Sequence, residues 1–369
     1  MFLAFKEMMK EKKRYGLIIA IITLIAYLVF FLLGLAYGLA KDNTTEIDRW
    51  QGQAMILAEG SNKNLLVSRI DPVIKEDYSD QEASLVTVSR AVAYLFEKED
   101  EENTENIVVV GMRDDAKAYP EILEGRLPEN SGEILADLNF KDELEMNLGD
   151  RIKLASNGQV FEIVGFTQAV KYSVSPVIYT DLVTASPRSL TANESPDLID
   201  YADQAQPMPD QVGGLILHED LDLQTEGDYE KVAMADFIQA LPGYRAQNLT
   251  FGMMIGFLVL ITAIVLGVFM YIITNQKRQT FAIMKIQGIA NGFIGRSVLV
   301  QTLLLTILGL AIGALLTFAS EQILPVAVPF RSDWRYFAAI AGLILVFTLL
   351  GALFSVASVA KVDPLEVLE

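Results

Sequence analysis

Few residues of this sequence have the types and spacing that catalysis or metal binding requires. The chain has one histidine, His218, and no cysteine, so it cannot assemble a His/Cys metal site or a disulfide. It contains no Gly-rich phosphate loop of the form G-x-x-x-x-G-K-[ST], no nucleophile elbow, and no paired-carboxylate pattern that stands out from its acidic background. We therefore expect a protein that is not an enzyme and that binds no metal.

One acidic run, EKEDEENTE from Glu97 to Glu105, could in principle bind a cation. It lacks the ligand spacing and the turn glycine that an EF-hand loop requires. A solvated loop is the simpler interpretation of this run.

A basic segment, NQKRQTFAIMKIQGI at 275–289, carries three basic residues and no acid, although the formal charge of the chain is −18. If the segment is helical, Arg278 and Lys285 lie on one face, and Phe281 and Met284 lie on another. Two interpretations of the residues remain open. The segment is either a surface helix that presents side chains to a partner, or an ordinary loop that interacts only with anionic lipid.

The sequence contains four long apolar runs, two before this segment and two after it. Because 52% of the residues are hydrophobic and 21% are charged, the chain must separate apolar from polar segments. Each run exceeds the about 20 residues that a helix needs to cross a bilayer. Buried core helices of a soluble protein are the alternative, but four such runs would leave no polar helix faces for water. The runs are 15–40, 251–274, 298–320 and 336–360.

The basic residues predict the orientation of these spans. The first 14 residues carry five Lys and Arg against two Glu, and 275–297 carries four against no acid. Since Lys and Arg near span ends stay on the cytoplasmic side, both termini and 275–297 are expected to be cytoplasmic. The segment 41–250 then lies outside, and its 40 acidic and 17 basic residues give it a net charge of −23.

The segment 41–250 shows signals for both strands and helices. The β-branched runs NIVVVGM, RIKLAS, VFEIVGF, VIYT and GGLILHE indicate strands, whereas DQEASLVTVSRAVAYLFEKE and YEKVAMADFIQAL indicate helices. We predict an α-helical membrane protein with four transmembrane helices and a large extracytoplasmic α+β domain inserted between helices 1 and 2.

The predicted domain boundaries follow from these runs. The first span has about 25 apolar residues, whereas the apolar region of a signal peptide has about 7–15. We therefore interpret the first span as a retained membrane anchor. The parts are a cytoplasmic interfacial helix at 1–14, TM1 at 15–40, the extracytoplasmic domain at 41–250, TM2 at 251–274, a cytoplasmic coupling loop or helix at 275–297, TM3 at 298–320, an outer loop at 321–335, TM4 at 336–360 and a cytoplasmic tail at 361–369.

This order of parts resembles the FtsX/MacB-type permeases of ABC transporters. The stretch EILEGRLPENSGEILADLNFKDELEMNLGDRIKL, followed by FEIVGF, is similar to the outer-domain pattern of that family. The basic segment at 275–289 is similar to its loop after the second span, and KVDPLEVLE at 361–369 to its C-terminal ending. The resemblance covers essentially the whole chain.

The resemblance implies a homodimer in the plasma membrane that acts with a separate ABC ATPase subunit, present in two copies. ATP would be used by that partner, and no nucleic acid would be bound. Arg278, Phe281, Met284 and Lys285 would form the ATPase coupling surface. Transport would be mechanical, because the movement produced by closure of the ATPases would be transmitted through 275–297 to the outer domain.

A narrower resemblance is to the permeases of heme-regulated transporters. It rests on MFLAFKEMMKEKKRYGLIIA, FFLLGLAYGLAKDN, PGYRAQNLTFGMMI and KVDPLEV. It implies heme export, with heme as a substrate and no permanently bound cofactor. Because the chain has one His and no Cys, tyrosinate or methionine would have to ligate the iron. The substrate candidates are Tyr172, Tyr244, Arg49, Trp50, Met253 and Met254.

Each candidate has a plainer interpretation, since aromatic residues at a membrane boundary usually belong to the aromatic belt and methionine in a span usually packs. Other functions of such a permease also remain open from the sequence. These are export or sensing of an antimicrobial peptide or other lipophilic substrate, lipoprotein release, and a non-transporting signal relay. The acidic outer segment slightly favours cationic peptides, but salt screens that attraction within about 10 Å.

Overall fold

The computed structural model describes residues 11–191, 206, 208–223, 227–276, 278–325 and 328–360. Its helices are α1 (Lys12–Asp42), α2 (Thr45–Arg49), α3 (Asn139–Asp142), α4 (Pro187–Thr191), α5 (Met234–Ala240), α6 (Tyr244–Gln276), α7 (Arg278–Ile286), α8 (Asn291–Glu321) and α9 (Trp334–Ala360). Its strands are β1 (Ala54–Ala58), β2 (Ala83–Leu95), β3 (Thr104–Gly111), β4 (Ile122–Gly125), β5 (Glu133–Asp137), β6 (Arg151–Leu154), β7 (Val160–Thr167), β8 (Lys171–Tyr172), β9 (Ser175–Thr180), β10 (Gly214–Leu217) and β11 (Tyr229–Ala233). Two 3-10 helices span Pro72–Asp77 and Glu101–Asn103.

The chain divides into two compact units. One, here called the helical unit, comprises residues 1–38 and 248–369, and the other, the sheet unit, comprises residues 39–247. The predicted interfacial helix falls largely on 1–10, and the predicted tail is 361–369. Both of these segments lie outside the described residues.

Four helices of the described chain, α1, α6, α8 and α9, are long and apolar enough to cross a membrane. This confirms an α-helical protein with four candidate membrane-spanning helices. The helices extend beyond the apolar runs. At about 1.5 Å per residue, the 33 residues of α6 give a length of about 50 Å, against about 30 Å of hydrocarbon.

Two glycines of α8 allow close packing against α1. A Cβ atom built on Gly309 would lie 2.3 Å from Ile22 Cγ2, and one on Gly313 would lie 2.8 Å from Ala26 Cβ. The two glycines are four residues apart, so they lie on one helix face. Small residues at such a crossing let helices approach where burial of apolar surface gives little driving force between them.

Several threonine hydroxyls inside these helices are satisfied locally, whereas those of Thr23 and Thr274 are buried without a partner among the described residues. Thr302, Thr306 and Thr317 each donate a hydrogen bond of 2.9 Å to the carbonyl oxygen four residues earlier. Because the bilayer core offers no water, this arrangement removes the cost of an unpaired hydroxyl. Close apolar contacts therefore hold much of the helical unit, and a polar contact joins α1 to α8, where the Tyr27 hydroxyl lies 3.0 Å from Ser320 Oγ.

The sheet unit is built on a mixed sheet of 11 strands in the order β11-β1-β10-β2-β3-β9-β5-β7-β4. Strand β6 pairs with β2 and β7, and β8 pairs with β9. The pairs β3–β9 and β5–β7 are parallel, whereas the remaining pairs are antiparallel.

Both faces of the central strands are buried. Along β3, Val108 and Val110 pack into a cluster that contains Trp50, whereas Val109 packs into a second cluster that contains Phe161. Side chains alternate between the two faces of a strand, so a strand covered on both sides needs an unbroken apolar run. This is why NIVVVGM carries four consecutive apolar residues.

The strand predictions NIVVVGM, RIKLAS, VFEIVGF, VIYT and GGLILHE are confirmed, and they correspond to β3, β6, β7, β9 and β10. The helix predicted on 80–99 is wrong, because Ala83–Leu95 forms the 13-residue strand β2. Its β-branched residues suit a strand, and pairing with β3, β6 and β10 decides the outcome. The helix predicted on 229–241 is half right, since β11 precedes α5 there.

Candidate functional site

A buried carboxylate lies at the centre of a polar cluster in the sheet unit. Glu46 is 0% exposed and accepts hydrogen bonds from Arg49 Nη2 at 2.6 Å, Trp50 Nε1 at 2.6 Å and the Tyr179 hydroxyl at 2.5 Å. Arg49 ends helix α2, and Trp50 follows it directly. They lie three and four residues after Glu46, which places their side chains on the same face as Glu46. Tyr179 reaches the cluster from β9.

Arg49 uses its other donors inside the same cluster. Its Nε donates to Glu46 at 2.9 Å, its Nη1 donates to the Ala118 carbonyl oxygen at 2.8 Å, and its guanidinium lies 5.2 Å from the centre of the Tyr179 ring. Burial disfavours the charge of Arg49, but Tyr179 and the Glu46 carboxylate raise its pKa overall. Its side chain is only 12% exposed. In this arrangement Arg49 is committed to Glu46 rather than offered to the carboxylate of a ligand.

Burial keeps Tyr179 in its neutral form. Burial, followed by the Glu46 carboxylate, raises the pKa of Tyr179 well above its ordinary value. The phenol therefore stays protonated and acts as the hydrogen-bond donor to Glu46. The cluster thus satisfies a fully buried charge with one cation and two neutral donors, as such a charge requires.

Tyr172 and Trp50 belong to the core beside this cluster. Each is 1% exposed, and their ring centroids are 6.2 Å apart. Burial raises the pKa of Tyr172, which favours the neutral phenol over the tyrosinate that ligates iron. The structure thus gives Tyr172 a packing role, and iron ligation by its oxygen would require the core to open.

Tyr244 is half-buried and packs against the same core cluster as Trp50 and Tyr172. Met253 and Met254 lie on α6 in the helical unit and are 59% and 45% exposed. The structure therefore gathers the predicted aromatic residues against one core and leaves the two methionines accessible on a helix.

Two members of the polar cluster, Glu46 and Tyr179, were not predicted from the sequence. The spacing of Glu46 from Arg49 and Trp50 was the one available signal, and it is common on helices. Tyr179 is 133 residues away from Glu46 in the chain, so no local pattern could have connected them.

His218 is a core histidine. It is 5% exposed, and its Nε2 lies 2.8 Å from Ser84 Oγ. Burial lowers its pKa, so it stays neutral at pH 7. Within the described residues, no group of three His, Asp or Glu side chains could hold a metal ion.

The predicted coupling segment forms the nine-residue helix α7 in the helical unit. Phe281 is 5% exposed and packs in a cluster with Tyr15, Ile18 and Leu266, and Met284 packs against the same cluster. Phe281 therefore faces inward and attaches α7 to the other helices. It does not point to the surface as a partner contact would.

The exposed face of α7 carries different residues. Ile283 and Ile286 are 50% and 56% exposed, and Gln279 and Thr280 are exposed beside them. Positions 279, 283 and 286 are spaced by four and three residues, which places them on one face. Lys285 is half-buried, and the side chain of Arg278 lies outside the described residues. Two accessible isoleucines on a short helix at a chain turn suit contact with a partner protein.

Comparison with known families identifies the helical unit. Residues 252–364 match the family described as FtsX-like permease C-terminal. The chain contains an FtsX-like permease domain. This domain includes α7, α8 and most of α6 and α9. The four apolar helices and this match indicate a membrane protein, and the match agrees with the predicted resemblance to ABC-transporter permeases.

Relatives are similar beyond the FtsX-like domain. A Staphylococcus epidermidis protein named as the hemin transport system permease protein HrtB is 26% identical over 368 residues, which cover 99% of this chain and 98% of that protein. A Staphylococcus haemolyticus protein of the same name is 24% identical over 376 residues, with the same coverage of both chains.

Among solved structures, one match is the extracellular domain of the noncanonical ABC-type transporter YknZ from Gram-positive bacteria. It is 10% identical, with a TM-score of 0.30, and the match covers 46% of this chain and 83% of that chain.

Proposed function

We propose that this chain is the permease subunit of an ABC-type efflux transporter that exports heme from the membrane, driven by a separate ATPase. The observation that carries the proposal is similarity over 99% of the chain to proteins named for hemin transport. That similarity includes the sheet unit as well as the FtsX-like domain, so it concerns the whole permease.

The charges of the chain support the proposed topology. Segment 41–250 carries a net charge of −23, whereas 275–297 carries four basic residues and no acid. The positive-inside rule then places α7 and both termini in the cytoplasm and the sheet unit outside. A homodimer with two ATPase copies completes the proposed assembly, because α7 would meet one ATPase under each permease.

The packing of α7 supports mechanical coupling. Its inward face is fixed to α1 and α6 through Tyr15, Ile18 and Leu266 around Phe281. A force applied to the exposed face at Ile283 and Ile286 would therefore move these helices rather than a loose loop. Both α1 and α6 are unbroken helices, of 31 and 33 residues.

The substrate candidates divide into two roles in this proposal. In the helical unit, Met253 and Met254 are exposed on α6, so they can meet a flat apolar substrate and offer a ligand to its iron. In the sheet unit, Tyr244 is half-buried, whereas Arg49, Trp50 and Tyr172 belong to the buried cluster at Glu46 and the core beside it. Their hydrogen bonds and packing are already satisfied within the protein.

Hemin titration of the purified protein tests the substrate proposal. We expect a saturable Soret shift that weakens at least about tenfold when Tyr244→Phe is combined with Met253→Leu and Met254→Leu, because direct ligands are worth more than about 1.4 kcal/mol. Tyr271→Phe is the matched control, since Tyr271 is 53% exposed on the same helix. A Soret change that does not saturate, or that is equal in all variants, would show mere partitioning and reject heme as a specific ligand.

A further inference from the structure

A cavity of about 590 Å³ opens in the sheet unit, away from the polar cluster at Glu46. Residues of β2, the segment after β6, and α4 line it. Its wall has an apolar part, with Leu66, Val92 and Leu190, and a charged part, with Arg69 and Arg90. Among the lining residues that the structure describes, none is Asp or Glu.

The two arginines differ from their neighbours in having no acidic partner. Arg113, Arg126 and Arg151 form ion pairs with nearby carboxylates. Among the residues that the structure describes, Arg90 has no ion pair, and Arg69 donates only to the carbonyl oxygens of Ser68 and Leu66. With 40 acids in segment 41–250, acidic partners are abundant, so two unpaired arginines in one cavity indicate a place for an external anion.

Burial makes the charge of Arg69 costly. Arg69 is half-buried, and burial lowers its pKa. Hydrogen bonds to carbonyl oxygens leave its positive charge without a counter-charge. An anion held in the cavity would offset this cost.

A second cavity, of about 780 Å³, adjoins the first and shares Arg69 and Pro187 with it. It adds Arg188, which also has no ion pair within the described residues, and one acid, Asp210. Within the described part of the chain, the two cavities together present three arginines and one aspartate, whereas segment 41–250 as a whole is acidic.

We propose that the 590 Å³ cavity binds a small anionic amphiphile, with a carboxylate or phosphate head at Arg69 and Arg90 and an apolar part against Leu66, Val92 and Leu190. The guanidinium fork suits carboxylate and phosphate oxygens, and the volume lies within the about 300–1,000 Å³ of ligand sites. The mixed wall excludes both a purely apolar ligand and a free metal ion. This site does not depend on the transport proposal, since it uses none of the same residues.

A single fluorescent label in the full-length protein tests this site. The chain has no cysteine, so Ala155→Cys on the exposed rim of the cavity gives one labelling position. The labelled protein is titrated with the anionic amphiphiles octanoate and octyl phosphate. Acetate and inorganic phosphate test the anionic head groups without an alkyl tail. Octylammonium tests the same tail with a head group of opposite charge. The label lies on the rim of the cavity, so its fluorescence reports changes at this site.

We expect saturable fluorescence changes with octanoate, octyl phosphate or both, and their relative strength identifies the head. Binding should weaken at least about tenfold in Arg90→Gln and less in Arg90→Lys. Arg90 is exposed, so its replacement should not affect folding, and Arg113→Gln serves as a matched arginine outside the cavity.

Three results would overturn the proposal. If octylammonium binds as tightly as octanoate and octyl phosphate, the charge of the head group plays no role. If the head groups alone bind as tightly as the amphiphiles, the apolar wall plays no role. If the Arg90→Gln variant binds the amphiphiles as tightly as the unchanged protein, Arg90 is not part of the site.

Discussion

Replacing Ile283 and Ile286 with Asp is expected to reduce co-purification of the ATPase subunit at least about tenfold, because two partner-facing apolar side chains together are worth more than about 1.4 kcal/mol. Both side chains are at least half exposed, so the change should leave the permease folded. The measurement is the ratio of ATPase to permease after affinity purification of the tagged permease from membranes.

Two controls separate partner contact from folding. Ile323→Asp changes an isoleucine that is 82% exposed, just after α8 ends at Glu321, and it should not alter the ratio. Phe281→Ala removes an inward side chain, so it should lower the yield of folded permease. Full ATPase recovery with the doubly substituted α7 would show that its exposed face is not the docking surface.

Glu46→Ala is expected to destabilise the sheet unit by about 3–5 kcal/mol, because it leaves the buried charge of Arg49 without its partner. It also removes the hydrogen-bond acceptor of Trp50 Nε1 and of the Tyr179 hydroxyl. The protein has two tryptophans, so in a Trp334→Phe background the fluorescence of Trp50 reports directly on this cluster during denaturation.

Asp48→Ala is the matched control for Glu46→Ala. Asp48 lies on the same helix, is exposed, and pairs with Lys41 at 3.0 Å. Exposed pairs are worth about 0–1 kcal/mol, so its loss should shift the Trp50 transition little. Equal shifts for the two variants would mean that Glu46 does not organise the cluster.

The sequence was sufficient for the features that depend on local composition. Long apolar runs predict four helices, and β-branched runs predict β3, β6, β7, β9 and β10, because these signals lie within the elements themselves. Strand β2 was mistaken for a helix, since its pairing with β3, β6 and β10 depends on residues distant in the chain.

The candidate sites also depend partly on local sequence and partly on contacts between residues distant in the chain. From the sequence, the basic segment could be either a loop or a helix, and the structure forms a helix at Arg278–Ile286. The sequence did not predict which face of that helix turns inward. Both Phe281 and Ile283 are apolar, and only contacts with Tyr15 and Leu266 decide which is buried. From the sequence, Arg49 and Trp50 were substrate candidates rather than partners of Glu46, and Tyr179, which completes the cluster, comes from the distant strand β9.

Reconstitution of the permease tests whether heme is transported by ATP-driven movement of α7. The permease and its co-purified ATPase are placed in liposomes that contain hemin in the bilayer and apomyoglobin in the lumen. ATP is added outside, so that only transporters with outward-facing ATPases are energised. We expect ATP-dependent growth of the myoglobin Soret band, which is lost with Ile283→Asp and Ile286→Asp. Hemin transfer at the same rate without ATP, or ATP hydrolysis without transfer, would contradict it.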